Sequence, residues 1–237
     1  MKSALLFRTA LAICLLVGKR EGLSQGTFVN LGFEDAFLPL RPGADGGVSM
    51  TLAIPGWTGY FGGFPTDRVF YDSVAGGDAA ISIHDSASGF FQPIQGAYSV
   101  FIQGSNFFEG GTPRSAAIGQ IGTVPANAAS LQFWAAPLSN LQVTFGAQTI
   151  PMYQLGSTAD YVIWGGDVSA LAGQTAELRF TGLANAGGYF DNIFFRSSQS
   201  PNRGLFPSWA LAHYSSAGGF CANGHDQARG GFFALSR

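Results

Sequence analysis

Tyr98-Ser99-Val100-Phe101-Ile102-Gln103 decides the fold class. Successive side chains of an extended chain point to opposite faces, so this run sends Tyr98, Val100 and Ile102 one way and Ser99 and Gln103 the other. The same short pattern recurs at Leu131-Gln132-Phe133-Trp134, Leu141-Gln142-Val143-Thr144-Phe145, Tyr161-Val162-Ile163-Trp164 and Ala176-Glu177-Leu178-Arg179-Phe180. Turn-forming residues separate the runs: Pro125-Ala126-Asn127, Ser139-Asn140, Gly165-Gly166-Asp167 and Asn185-Ala186-Gly187-Gly188. No long stretch carries a 3.6-residue apolar period, and residues 168–173 offer one helical turn at most. Many short half-buried strands at this spacing predict an all-β protein, an antiparallel β-sandwich of jelly-roll type.

Composition agrees. The chain of 237 residues carries 34 glycines and 22 phenylalanines, and only 11% of it is charged. Such a chain buries enough apolar surface to offset its ordering entropy. Lysine occurs only at Lys2 and Lys19, and residues 25–196 hold five arginines against twelve acids, a net of −7. An acidic, lysine-free surface repels phosphate backbones, which sets nucleic acid aside as a partner. Both cysteines, Cys14 and Cys221, lie outside residues 25–196, so that segment has no disulfide or thiolate metal site.

The two ends read differently from the body. Residues 1–24 form a signal peptide: Lys2 and Arg8 are its basic start, Leu11 to Gly18 its short apolar core and Gly22-Leu23-Ser24 its small-residue end. Residues 25–196 are the β-sandwich domain, and 197–237 are a remnant of a sorting tail. From Ser200 onward the residues do not match the body, but with suitable codons a reading frame displaced by two nucleotides would spell Pro-Glu-Pro, then an apolar segment, then a basic cluster. An apolar helix with a basic end would be a membrane anchor oriented by its positive charge. As written, the tail has no apolar run long enough to span. A Gly/Ser/Arg-rich tail without structure is the alternative.

Three segments carry a family resemblance. Phe28-Val29-Asn30-Leu31-Gly32-Phe33-Glu34 resembles the first strand of galactose-binding-like jelly rolls, Pro55-Gly56-Trp57 resembles the segment that follows, and Tyr189-Phe190-Asp191-Asn192-Ile193 resembles the closing strand. Residues 54–60, 80–83 and 94–100 more closely resemble exported Verrucomicrobia-type proteins with PEP-CTERM tails, most of which have no assigned activity. That resemblance implies export to the cell surface or beyond it. It also implies processing by an exosortase-type transpeptidase for an intact ancestral tail.

Candidate chemistry follows from both readings. The jelly-roll resemblance implies a structural Ca2+ held by Glu34 and Asp191, with Asn30 and Asp35 as further oxygen ligands. The alternative is that these carboxylates bond backbone N–H groups. Trp57, Tyr60, Phe61 and Tyr71, with Phe64 and Phe70, are a candidate sugar-stacking platform, since pyranose C–H faces pack on aromatic rings. The alternative is that Trp57 is core and the others cover the sandwich edge. His84-Asp85-Ser86 reads as a turn rather than a triad fragment, because adjacent residues rarely meet in triad geometry. The function expected is that of an exported, non-enzymatic cell-surface or extracellular-matrix protein that binds polysaccharide or cell-surface glycan. A secreted glycoside hydrolase or lyase is the alternative, with a carboxylate pair drawn from Asp72, Asp78, Asp85 and Glu109.

Overall fold

The computed structural model describes residues 25–39, 46–105 and 112–197. The signal peptide expected at 1–24, Glu109 and the sorting remnant expected beyond Ser197 lie outside the described residues. In chain order the elements are β1 (Gly47–Ser49), the one-turn helix α1 (Met50–Ala53), β2 (Thr58–Phe61), β3 (Phe64–Thr66), β4 (Arg68–Tyr71) and β5 (Ala80–His84). Then come β6 (Ser99–Gln103), β7 (Ala116–Thr123), β8 (Ala128–Ala135), β9 (Gln142–Phe145) and β10 (Gln148–Ile150). The chain continues through β11 (Tyr153–Ser157), β12 (Val162–Asp167), a 3-10 turn (Ser169–Leu171), β13 (Thr175–Gly182) and β14 (Gly187–Ser197). No described helix is long and apolar enough to cross a membrane.

The strands form two sheets. One runs β1-β4-β5-β6-β14-β8-β12-β11 and the other β10-β9-β13-β7-β2-β3. From β6 onward the chain passes repeatedly from one sheet to the other, as in a jelly roll, and every described pair is antiparallel except β4 with β5. Ile81, Ile83, Val100, Ile102, Phe133 and Phe190 of the larger sheet face Ile118, Val143, Phe145, Leu178 and Phe180 of the smaller. The rings of Phe180 and Phe190 stack at 5.0 Å between the layers, and Phe133 meets Phe180 edge-on at 5.3 Å. Alternation in the sequence is thus the alternation of inner and outer face. Three of the four rim strands, β1, β3 and β10, are only three residues long. The fourth, β11, is bulged between Gln154 and Gly156.

Two local expectations are corrected. Phe28 to Glu34 is not a strand. Asn30 and Phe33 take left-handed backbone conformations, with φ of 51° and 59°, and the chain turns there, which breaks the extended alternation. The segment instead plugs the sandwich with Phe28, Leu31 and Phe33, all buried, and the Leu31 carbonyl accepts from Ile193 N–H at 3.0 Å. Gly165-Gly166-Asp167 is not a turn but the end of β12. The residue is glycine because space is lacking: a Cβ on Gly166 would lie 2.6 Å from Ile150 Cγ2 and 2.7 Å from the Pro151 carbonyl oxygen.

Candidate functional site

The aromatic platform does not assemble. Trp57 is 4% exposed; it packs on Phe33 and Phe180, and its indole N–H donates to the Asn30 carbonyl at 3.1 Å. Trp57 is a core residue with no face for a sugar. Tyr60 and Phe61 stand on β2 in the smaller sheet, whereas Phe70 and Tyr71 stand on β4 in the larger. Phe61 and Tyr71 are half-buried against the core. The Tyr60 ring is covered by the guanidinium of Arg179, 3.9 Å from its centre, and its hydroxyl donates to Glu177 at 2.7 Å. Burial first, and then the Glu177 carboxylate, hold the Tyr60 phenol above its ordinary value.

The expected calcium ligands are arranged for a different task. Both Glu34 oxygens accept from Ala97 N–H, at 3.0 and 2.9 Å. Asp191, fully buried, accepts from Gln95 N–H at 3.0 Å, Ser99 Oγ at 2.7 Å and Asn192 N–H at 2.5 Å. Asn30 Oδ1 accepts from Asp35 N–H at 3.0 Å, and its amide donates to the Pro55 carbonyl. These oxygens accept N–H groups, which is the backbone-bonded alternative raised from the sequence. Among the described residues no three acidic, histidine or cysteine side chains gather as a metal centre. Glu34 and Asp191 instead grip one stretch, Gln95-Gly96-Ala97. Burial pushes Asp191 up to about 7 against the pull of its three donors.

A polar chain lies beside this grip. Tyr71 donates to Asp85 at 2.6 Å, Asp85 N–H donates to Asp72 at 3.1 Å, and His84 Nδ1 lies 2.8 Å from Ser88 Oγ and 3.8 Å from Asp72. Burial, opposed by the Asp85 amide and reinforced by the Asp85 carboxylate, raises Asp72 to about 6. Burial lowers His84 to about 4. The group is not a nucleophile triad. Serine and aspartate approach the same ring nitrogen, and Ser88 Oγ caps the turn by accepting from the N–H groups of Phe90 and Phe91. Asp72 and Asp85 hydrogen-bond each other rather than flanking a cleft, whereas a glycosidase pair stands roughly 5–10 Å apart. Asp78 lies apart from them, paired with Arg114 at 2.8 Å.

A cleft opens elsewhere, between the sheets at one edge. It encloses about 230 Å3 and is bounded by the two crossovers β8–β9 and β10–β11. Phe133, Val143 and Ile150, buried members of the core, close its floor, and half-buried Trp164 forms a wall. Asn140, Gln142 and Thr149 supply amides and a hydroxyl, while the Ser139 hydroxyl is held by the Tyr189 backbone. No charged side chain lines it. Trp164 reaches the cleft because its register partner on β8 is Phe133, an inward residue. In the sequence Trp164 stands in an ordinary strand run and Ser139-Asn140 in an ordinary turn, so neither marks a site. The available signal was Trp164 itself, an aromatic in a run that ends in two glycines.

No protein-family model and no curated protein matches this chain. Solved structures do. The enzymatically active domain of bacteriophage CBA120 tailspike protein 4 aligns over 60% of this chain at 14% identity and a TM-score of 0.33; this chain spans 19% of that one. TmCBM61, solved in complex with beta-1,4-galactotriose, aligns over 74% of this chain and 100% of its own at 14% identity and a TM-score of 0.34. The K2 cleaved adhesin domain of Lys-gingipain aligns over 68% of this chain and 96% of its own at 12% identity and a TM-score of 0.38. At these TM-scores the alignments add nothing to the sandwich that strand pairing already defines.

Proposed function

We propose that this chain is an exported, non-enzymatic sugar-binding module of the cell surface or extracellular matrix, and that the cleft beside Trp164 is its binding site. The observation that carries this reading is the lining: aromatic and core side chains below, uncharged amides and a hydroxyl above. That combination suits a sugar, which presents an apolar C–H face and a hydroxylated rim. The volume is below the ~300–1,000 Å3 of sites that engulf a drug-sized ligand, so one ring of a glycan enters. No carboxylate lines the cleft, which favours binding over hydrolysis or lyase chemistry. The leader read at residues 1–24 supports export, and the sorting remnant at 197–237 supports descent from a protein anchored transiently and cut by an exosortase-type enzyme.

The test is a glycan array with the wild-type chain and Trp164→Ala. Binding to neutral polysaccharide that is lost in the variant at unchanged Tm supports the reading. Equal binding by both proteins, or none by either, overturns it.

A further inference from the structure

A second patch on the molecule is lined for a guest that the protein's own chain does not supply. It lies on the outer face of the larger sheet, under the connection from β5 to β6. Ser82, Phe101 and Tyr189 stand side by side across β5, β6 and β14, since Phe101 is the register partner of both others. His84 is on the same face of β5, two residues along. The connection lays the ring of Phe91 flat on this row: it stacks on Tyr189 at 4.7 Å and 23° and on Phe101 at 5.1 Å and 29°, and meets His84 edge-on at 5.1 Å.

Phe91 leaves the row unsatisfied. Ser82 Oγ, His84 Nε2 and the Tyr189 hydroxyl are buried side-chain atoms without a hydrogen-bond partner. Ser82 and His84 are 0% exposed and Tyr189 is 4% exposed. Natural cores rarely leave a buried polar atom unpaired, so three in one patch are an arrangement they avoid. A phenyl ring has the right shape for the slot and the wrong chemistry for its rim. The charges facing the patch are carboxylates: Asp72 and Asp191 act on Tyr189, and Asp72 lies 3.8 Å from His84. They repel anions.

We propose that this patch is a second sugar-binding site, closed here by Phe91, that takes an uncharged pyranose ring. Its C–H face replaces Phe91 on Phe101 and Tyr189, and its hydroxyls meet Ser82, His84 and Tyr189. The site is on the outer face of the larger sheet, whereas the edge cleft opens between the sheets; Ser139 of the cleft bonds the Tyr189 backbone and not its side chain. Because Phe91 must leave first, apparent affinity is reduced by the fraction of molecules in which it has left.

The experiment uses the full chain carrying Trp164→Ala, which silences the cleft, with and without Phe91→Ala. The probes are neutral galactan, glucan and xylan oligosaccharides, with oligogalacturonate as the anionic control, read by calorimetry. Phe91→Ala should raise affinity for a neutral oligosaccharide by about tenfold, Tyr189→Phe in that background should abolish the gain, and oligogalacturonate should not bind. A companion measurement stands even if Phe91→Ala fails to fold: Tyr189→Phe in the otherwise unchanged chain should leave Tm unchanged or raised, because Ser99, the hydroxyl that acts on it, already donates to Asp191 and accepts from Ile94 N–H. No gain from Phe91→Ala, a gain that survives Tyr189→Phe, or a lowered Tm on Tyr189→Phe overturns the proposal.

Discussion

Arg179 lies over Tyr60, its guanidinium carbon 3.9 Å from the ring centre, while Nε of the same arginine donates to Glu177 at 2.9 Å. Glu177 also accepts the Tyr60 hydroxyl, so three side chains from β2 and β13 close a small ring of contacts on the outer face of the smaller sheet. The Arg179 side chain is 29% exposed, which screens its charge pairing. Arg179→Ala should therefore lower unfolding stability by only about 1 kcal/mol, from the lost cation–π contact and stem packing. Urea denaturation measures this, and sugar binding at the cleft should not change.

Trp57 behaves as core. Its truncation to alanine removes contacts to Phe33 and Phe180 and orphans the Asn30 carbonyl. The expected loss is about 3–5 kcal/mol. The protein that remains folded should bind glycan as wild type does, which separates a packing role from a stacking one.

Gly96 is held at φ +65°, and a Cβ there would overlap the Glu34 carboxylate. Gly96→Ala should cost about 1–3 kcal/mol through backbone strain and loss of the Glu34 grip. Amide exchange at Ala97 should accelerate more than exchange in β13, because the damage is local.

Asp72 and His84 titrate with opposite sign. Asp72 rises to about 6 in the fold, so its contribution is full below the ordinary carboxylate range and is lost as pH rises through 6. His84 falls to about 4, so its contribution is full above its ordinary value of 6.5 and is lost as pH falls through 4. Between about 4 and 6 the two oppose each other. Asp191, raised to about 7, adds a second falling limb across the same window, so Asp72→Asn should flatten the pH dependence as the histidine limb offsets it. His84→Gln should expose the acid limb, with stability falling. Stability curves of the same slope in both variants would contradict this assignment.

Calcium should not stabilise the fold. Glu34 and Asp191 already accept backbone N–H groups of residues 95 and 97. Tm should be the same in excess Ca2+ and in chelator, because a ligand bound only by the native state would raise it.

The strands were legible because each half-buried run writes its orientation in alternation. Ser99–Gln103, Ala128–Ala135 and Thr175–Gly182 lie where their apolar and polar residues alternate. Gly165-Gly166 misled, since glycine marks both turns and crowded strands, and only the Ile150 contact distinguishes them. The opening segment misled for a related reason: Phe28, Leu31 and Phe33 are apolar enough for a strand, but positive φ at Asn30 and Phe33 is not visible in residue type. Site residues were less legible still. Trp57 and Trp164 look alike in sequence, and facing decides between them. Trp57 sits among Phe33 and Phe180, whereas Trp164 stands at the edge where the chain crosses between sheets. Glu34 and Asp191 meet the backbone N–H groups of residues 95 and 97, contacts that residue type alone does not reveal.

The rims of the two sheets have a consequence for how copies of the molecule meet. A strand edge templates another strand when it offers a long, flat run of free N–H and C=O groups. Here β1, β3 and β10 each end after three residues, β3 carries Pro65, and the bulge at Gln154 and Gly156 bends β11 out of plane. Rims this short offer a second copy too brief a run of N–H and C=O groups to extend either sheet from one molecule into the next.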